Sequence, residues 1–266
     1  MQEEALAGLY LLRNAVATQV NPSGPDVQAD YAFSPDGSRF AFSSADQSGG
    51  SRSGIFMATV AQPTSFTQLW DHGNHPRFIP GEQLLVCAGP EDGSELQGIW
   101  QIDLQTRGRS RIAPLGLSPE IAPDGLKISY LIEGNSYGRR LVVLDRTNGR
   151  IDTLTGATSV LHYTWLGTSD ALIMESDSVT TPKLFISYLG RLQPPEFLVF
   201  GLYPAGFTAG RSFVYTGYSG DRNDGLFITA PDGEPARISS TGTLAMPASE
   251  NRIVAQDSSG LLLITR

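Results

Sequence analysis

Short apolar runs alternate with polar, turn-forming clusters along this chain. At Phe33-Ser34-Pro35-Asp36-Gly37-Ser38-Arg39-Phe40-Ala41-Phe42, an aromatic residue precedes a polar turn and an apolar run resumes six or seven positions later. The figure returns as Phe78-Ile79-Pro80-Gly81 into Leu84-Leu85-Val86, and as Ile121-Ala122-Pro123-Asp124-Gly125 into Ile128-Ser129-Tyr130. Weaker copies lead from Trp165 into Leu172, from Phe207 into Phe213 and from Met246 into Ile253. The anchors 33, 78, 121, 165, 207 and 246 are 45, 43, 44, 42 and 39 residues apart. Near-equal steps of this size mark a propeller or an array. The Pro-Asp-Gly tip is turn chemistry: proline presets φ, aspartate bonds the local backbone, and glycine takes the positive φ that closes a hairpin. Each anchor therefore predicts a hairpin between a first and a second strand.

A third strand is predicted after each hairpin, as at Ile55-Phe56-Met57, Ile99–Ile102, Leu141–Leu144, Leu184–Ile186, Leu226–Ile228 and Leu261–Ile264. A fourth follows most of them, as at Phe66–Leu69 and Arg150–Leu154. Four short antiparallel strands per repeat is the blade of a β-propeller. The expectation is an all-β, six-bladed propeller with four-stranded antiparallel blades, a single domain over residues 1–266. The last repeat ends at Arg266 after three strands. Residues 15–20 are therefore expected to close the ring as an N-terminal strand completing the last blade. Leu9–Leu12 is then surplus, either a fifth strand or the end of a short helix spaced on Leu6, Leu9, Tyr10 and Arg13.

Composition narrows the function. The net charge of −8 and the absence of a basic stripe argue against nucleic acid. Cys87 is the only cysteine, so no intramolecular disulfide is expected, and its place in Leu84–Ala88 reads as core. No apolar stretch approaches the roughly 18 residues of a membrane span. Met1-Gln2-Glu3-Glu4 is acidic where an export signal would be basic. A cytoplasmic protein fits this start, and so does one whose upstream signal or anchor has been removed.

The Ser-Pro-Asp-Gly at 34–37, the Ala-Pro-Asp-Gly at 122–125 and the Ile/Phe-x-Tyr/Phe strand after each resemble the repeats of the TolB-like (WD-repeat-like) propeller family. The resemblance covers residues 20–266, with the last three repeats lacking the Pro-Asp-Gly tip. It implies six blades, an extracytoplasmic (periplasmic or cell-surface) location and binding to other proteins.

No catalytic residue is assigned. The chain lacks Gly-x-Ser-x-Gly and both common phosphate-cradling glycine loops. Asp71-His72-Gly73-Asn74-His75 has metal-ligand residue types, but no partner ligand is identifiable and the segment reads as a turn. Asp221-Arg222-Asn223-Asp224-Gly225 lacks the glutamate a calcium loop needs at its twelfth position, and reads as a hairpin tip. His162 reads as a structural histidine of an inner strand. No metal and no cofactor are expected.

The remaining candidate is a surface. The loops between second and third strands look long and polar, and with the Asp71–His75 connection they hold ten acids against five bases. The predicted binding residues are Asp46, Glu91, Asp92, Glu95, Glu133, Asp177, Asp221 and Asp224, an acidic face suited to a basic protein or peptide partner. The plainer alternative is that these loops are acidic because the whole protein is. The leading expectation is a monomeric, non-catalytic binding scaffold. Two rivals stay open: a metal-dependent lyase or hydrolase with a site in the central funnel, and a ligand-sensing ectodomain of a larger chain. For the first rival, the residues before the anchors (Ala32, Arg77, Glu120, Thr164, Gly206 and Ala245) are a poor ligand set.

Overall fold

The Ser34-Pro35-Asp36-Gly37 cluster closes the hairpin it predicts. In the computed structural model, the Gly37 N–H donates to Ser34 O at 2.8 Å and the Ser34 N–H donates to Arg39 O at 2.9 Å. Gly37 takes the left-handed conformation, at φ 67°. Asp36 Oδ1 accepts from Ser34 Oγ at 2.6 Å, Ser38 N–H at 3.0 Å and Ser38 Oγ at 2.8 Å. These donors, the Ser34 hydroxyl foremost, hold the Asp36 carboxyl down to about 2. The same frame returns at Ala122 with Gly125, and at Leu166 with Ser169 in the left-handed position although Pro-Asp-Gly is missing there. The geometry thus outlives the motif that signals it.

A pH effect follows from this turn. The folded Asp36 carboxyl titrates below the unfolded one, so its contribution is fully present above about pH 4 and is lost as pH falls towards about 2. Amide exchange at Ser38 is expected to lose protection over that window in the wild type. In Asp36→Ala protection should already be low at neutral pH. Equal, pH-independent protection in both proteins would remove Asp36 from the turn's stability.

The structure describes residues 10–13, 16–19, 31–44, 54–90, 97–134, 138–154, 159–176, 182–191, 193–207, 209–219, 222–241, 244–249, 252–257 and 260–265. They are strands and turns, and the chain divides into two compact units, Met1–Pro119 and Glu120–Arg266. In the first, β1 (Tyr10–Arg13) and β2 (Val16–Gln19) form an antiparallel hairpin. Then β3 (Tyr31–Phe33), β4 (Arg39–Ser44), β5 (Gly54–Thr59) and β6 (Gln62–Trp70) form a four-stranded sheet in chain order. The strands β7 (Asn74–Phe78), β8 (Leu84–Pro90), β9 (Gln97–Asp103) and β10 (Arg109–Ala113) form another.

The boundary between units falls within β11 (Leu117–Ile121), which opens a sheet with β12 (Lys127–Glu133), β13 (Arg139–Asp145) and β14 (Ile151–Leu154). A seven-stranded sheet follows: β15 (Val160–Trp165), β16 (Ala171–Ser176), β17 (Lys183–Tyr188), β18 (Glu196–Gly206), β19 (Phe213–Ser219), β20 (Arg222–Thr229) and β21 (Ala236–Ser239). It is two four-stranded sheets sharing β18. Glu196–Phe200 pair with β17, while Gly201–Gly206 pair with β19. The strands β22 (Leu244–Ser249), β23 (Arg252–Asp257) and β24 (Gly260–Thr265) form a three-stranded sheet.

Both faces of the middle strands are covered, which is why their sequences read as near-continuous apolar runs. In β8, Leu85, Val86, Cys87 and Ala88 are all fully buried. In β4, Phe40 and Phe42 pack with Phe56 and Ala58. Ala41, between them, points to the other face and packs with Ile55, Trp70, Leu85 and Cys87. Burial also pushes the Cys87 thiol well above its ordinary range, as its reading as core requires. In the second unit Leu166, Ile173, Leu184, Ile186, Phe213 and Tyr215 form a corresponding cluster.

The structure sharpens the expectations in three places. Tyr10–Arg13 is a strand and not the end of a helix, because it pairs with β2 from Tyr10↔Gln19 to Arg13↔Val16. The strand expected at residues 15–20 forms, but among the described residues its partner is β1, and β22–β24 carry no fourth strand. The segment Tyr218–Gly225, expected as a long loop, is mostly paired strand, with Ser219 opposite Arg222. Asp224 accordingly sits in β20.

Candidate functional site

Several of the strands that begin a set of paired strands have a defect in their pairing. Register slips between Asn74 and Arg77 in β7, Val160 and Tyr163 in β15, and Leu202 and Ala205 in β18. Two residues at such places, His75 and Tyr203, have φ of 51° and 50°, and Ser118 in β11 has φ of 47°. Each precedes a proline: Pro76, Pro119 and Pro204. Proline brings no N–H to the ladder, so a bulge is where a strand tolerates it. Holding a non-glycine residue at positive φ costs on the order of 1–3 kcal/mol. A bulge also re-aims the side chain it carries.

In the second unit the re-aimed groups meet. Glu175, near the end of β16, is buried at 1% exposure. Its Oε2 accepts the Tyr203 backbone N–H at 2.8 Å and lies 3.1 Å from His162 Nδ1. A carboxylate oxygen accepts, so His162 Nδ1 carries the hydrogen of this contact. The His162 ring, with its side chain about half exposed at 53%, lies 4.9 Å from that of Tyr203. A buried carboxylate therefore fixes both an imidazole and the bulge that carries the aromatic ring. Glu175 is the one charged side chain among the fully buried residues described, and a buried charge needs such partners.

The first unit holds a parallel arrangement. His75 Nδ1 is 2.9 Å from Asn74 Oδ1, and Asn74 Nδ2 donates to Gln97 Oε1 at 3.5 Å. Because Asn74 Oδ1 is an acceptor, His75 Nδ1 is the donor, and Ser118 Oγ donates to Nε2 at 3.4 Å. Within the Asp71–His75 segment, Asp71–Gly73 make the bend that links β6 to β7, while Asn74 and His75 already belong to β7. His72 and Asp71 point outward, 4.0 Å apart and largely exposed. Among the described residues no group of three or more His, Cys, Asp or Glu is placed to hold a metal ion.

Of the predicted acidic residues, Glu133 ends β12 as an exposed side chain opposite Arg139, and Asp224 lies in β20. Asp46, Glu91, Asp92, Glu95, Asp177 and Asp221 lie outside the described residues. His162, which reads from the sequence as a structural histidine, is joined by the structure to the buried Glu175. The usable signal was the recurring X-Pro before the anchors, at His75-Pro76, Ser118-Pro119 and Tyr203-Pro204.

No family model and no curated protein match the sequence. Solved structures do. TolB from Acinetobacter baumannii aligns over 87% of this chain and 64% of its own, at 14% identity and a TM-score of 0.63. An oligogalacturonate lyase in complex with manganese aligns over 96% of this chain and 82% of its own, at 16% identity and a TM-score of 0.68. A puromycin-hydrolyzing peptidase of Mycobacterium tuberculosis aligns over 96% of this chain but 46% of its own, at 14% identity and a TM-score of 0.68. At such identities the likeness is one of fold: the chain has the all-β fold of the TolB-like propeller proteins. It spans less than two thirds of the length of that TolB. No helix among the described residues is long and apolar enough to cross a membrane.

Proposed function

We propose that this chain is a six-bladed propeller scaffold that binds a protein or peptide partner on the face where the inner strands begin. In this reading it is one domain and a monomer, closed by β2 against the last sheet, and works outside the cytoplasm as the TolB resemblance implies. The observation that carries the proposal is the buried Glu175 carboxylate, bonded at once to His162 and to the Tyr203 bulge. What the cluster offers is an imidazole held in a fixed orientation beside an aromatic ring. Those are recognition groups, and a rigid frame lowers the entropy cost of binding. The predicted acids Asp46, Glu91, Asp92, Glu95, Glu133, Asp177, Asp221 and Asp224 would add attraction for a basic partner.

The test uses a partner captured by cross-linking and then purified. His162→Ala with Tyr203→Ala is expected to weaken its binding by about tenfold to a hundredfold, the size of losing one or two central contacts. Reversing Glu91, Asp92, Asp221 and Asp224 together should chiefly slow association and flatten its salt dependence. Binding unchanged in both variants places the interface elsewhere. A stoichiometric ion in the purified protein would instead favour the metal-dependent lyase or hydrolase.

A further inference from the structure

Tyr188 ends β17, Arg191 follows in the next turn, and Arg211 comes from the turn before β19, all in the second unit. The Arg191 guanidinium carbon lies 4.0 Å from the centroid of the Tyr188 ring, and that of Arg211 lies 5.5 Å from it. Arg211 Nη2 also donates to Tyr188 Oη at 3.0 Å. Two like charges thus share one ring. A ring face attracts each cation but neutralises neither. The chain has 27 acidic against 19 basic side chains, so a neighbouring carboxylate is the ordinary expectation. Among the described residues, none makes an ion pair with either arginine. Arg211 Nε is, in addition, buried without an acceptor.

We propose that Tyr188, Arg191 and Arg211 form a binding site for a phosphate-type dianion. Two guanidinium charges are matched by a dianion and only half matched by a carboxylate. A guanidinium lying on a ring keeps its in-plane N–H donors at the ring's edge, in the fork that fits phosphate oxygens. Tyr188 Oη accepts from Arg211, so its own hydrogen is a further donor. The site is separate from the His162–Glu175–Tyr203 cluster. His162 lies near the start of β15 and Tyr203 in the early part of the β18 segment that pairs with β19. Tyr188 is the last residue of β17, and Arg211 lies in the turn between the end of β18 and the start of β19, at the opposite ends of these strands.

The experiment titrates inorganic phosphate, glycerol phosphate and acetate separately into the full chain at low salt, followed by calorimetry and NMR shifts of Tyr188. Saturable binding of either phosphate, with acetate at least about tenfold weaker, is the expected result. The tighter of the two phosphates tells whether a free ion or a phosphomonoester is the natural occupant. Arg191→Ala should weaken binding by about tenfold, and Arg191→Lys should recover part of it. Arg191 is exposed, so its variants are expected to fold, which circular dichroism checks. Tyr188→Phe, which keeps the ring and removes the hydroxyl, should weaken binding by less. Absence of saturation, acetate binding as tightly as phosphate, or an Arg191→Ala protein that binds phosphate unchanged overturns the proposal.

Discussion

Glu175→Ala is expected to lower stability by about 2–3 kcal/mol, the usual cost of leaving hydrogen-bond partners of a buried charge unpaired. Glu175 Oε2 accepts the Tyr203 N–H, at a residue whose positive φ already costs free energy. It also orients His162 through Nδ1. The alanine variant therefore loses one acceptor, strands one backbone donor and frees one imidazole. In a chain of this size the loss corresponds to a melting temperature lower by roughly 5–10 °C. Glu175→Gln separates stability from function. Its amide oxygen can still accept from Tyr203 and from His162 Nδ1, so most of the stability should remain. The neutral acceptor holds the imidazole less firmly, and ligand binding should fall further than the melting temperature does. A glutamine variant that melts as low as the alanine variant would assign the role to the negative charge itself. An alanine variant within about 1 °C of wild type would show that the cluster does not hold the bulge.

A larger loss is expected where backbone meets backbone. Gly54 opens β5 at φ 114°, and a Cβ built there would lie 2.1 Å from Trp70 O and 2.6 Å from the Asp71 carbonyl carbon. Neither neighbour is the end of a flexible side chain, so the end of β6 would have to move. Gly54→Ala adds this clash to a conformation that L residues rarely adopt, and about 3–5 kcal/mol should be lost. Gly37→Ala provides the contrast. That glycine also has positive φ, but nothing lies within 4 Å of its Cβ position, so about 1 kcal/mol is expected. Thermal unfolding of the two variants measures the difference. Equal melting temperatures would mean that the β5–β6 approach is looser than described.

The six hairpins were legible in the sequence because a hairpin is a local event. Pro35-Asp36-Gly37 and Pro123-Asp124-Gly125 carry the turn within a few residues of its own hydrogen bonds. The apolar runs on either side follow from burial of both faces of β4, β8 and β12. Even so, the frame at Leu166 keeps the turn with Ser169 in the glycine's place, where turn chemistry alone gives a weak signal. The last hairpin pairs on to Ser249↔Arg252, three residues past Met246, so its anchor marks the strand but not the turn.

The candidate sites were not legible in the same way, and the reason is register. Glu175 and Tyr203 are 28 residues apart, and Tyr188 and Arg211 are 23 apart. Each pair meets through strands whose alignment is set by pairing rather than by local preference. A single bulge turns a side chain to the other face of a strand, and no apolar period records which residue that is. The sequence by itself determined the repeat, the turn chemistry, the all-β class and the core place of Cys87. Tertiary structure alone decided that His162 rests on a buried Glu175, that Tyr203 sits on the bulge the same carboxylate holds, and that two arginines share Tyr188. Those are contacts between distant segments, and only the paired sheets bring them together.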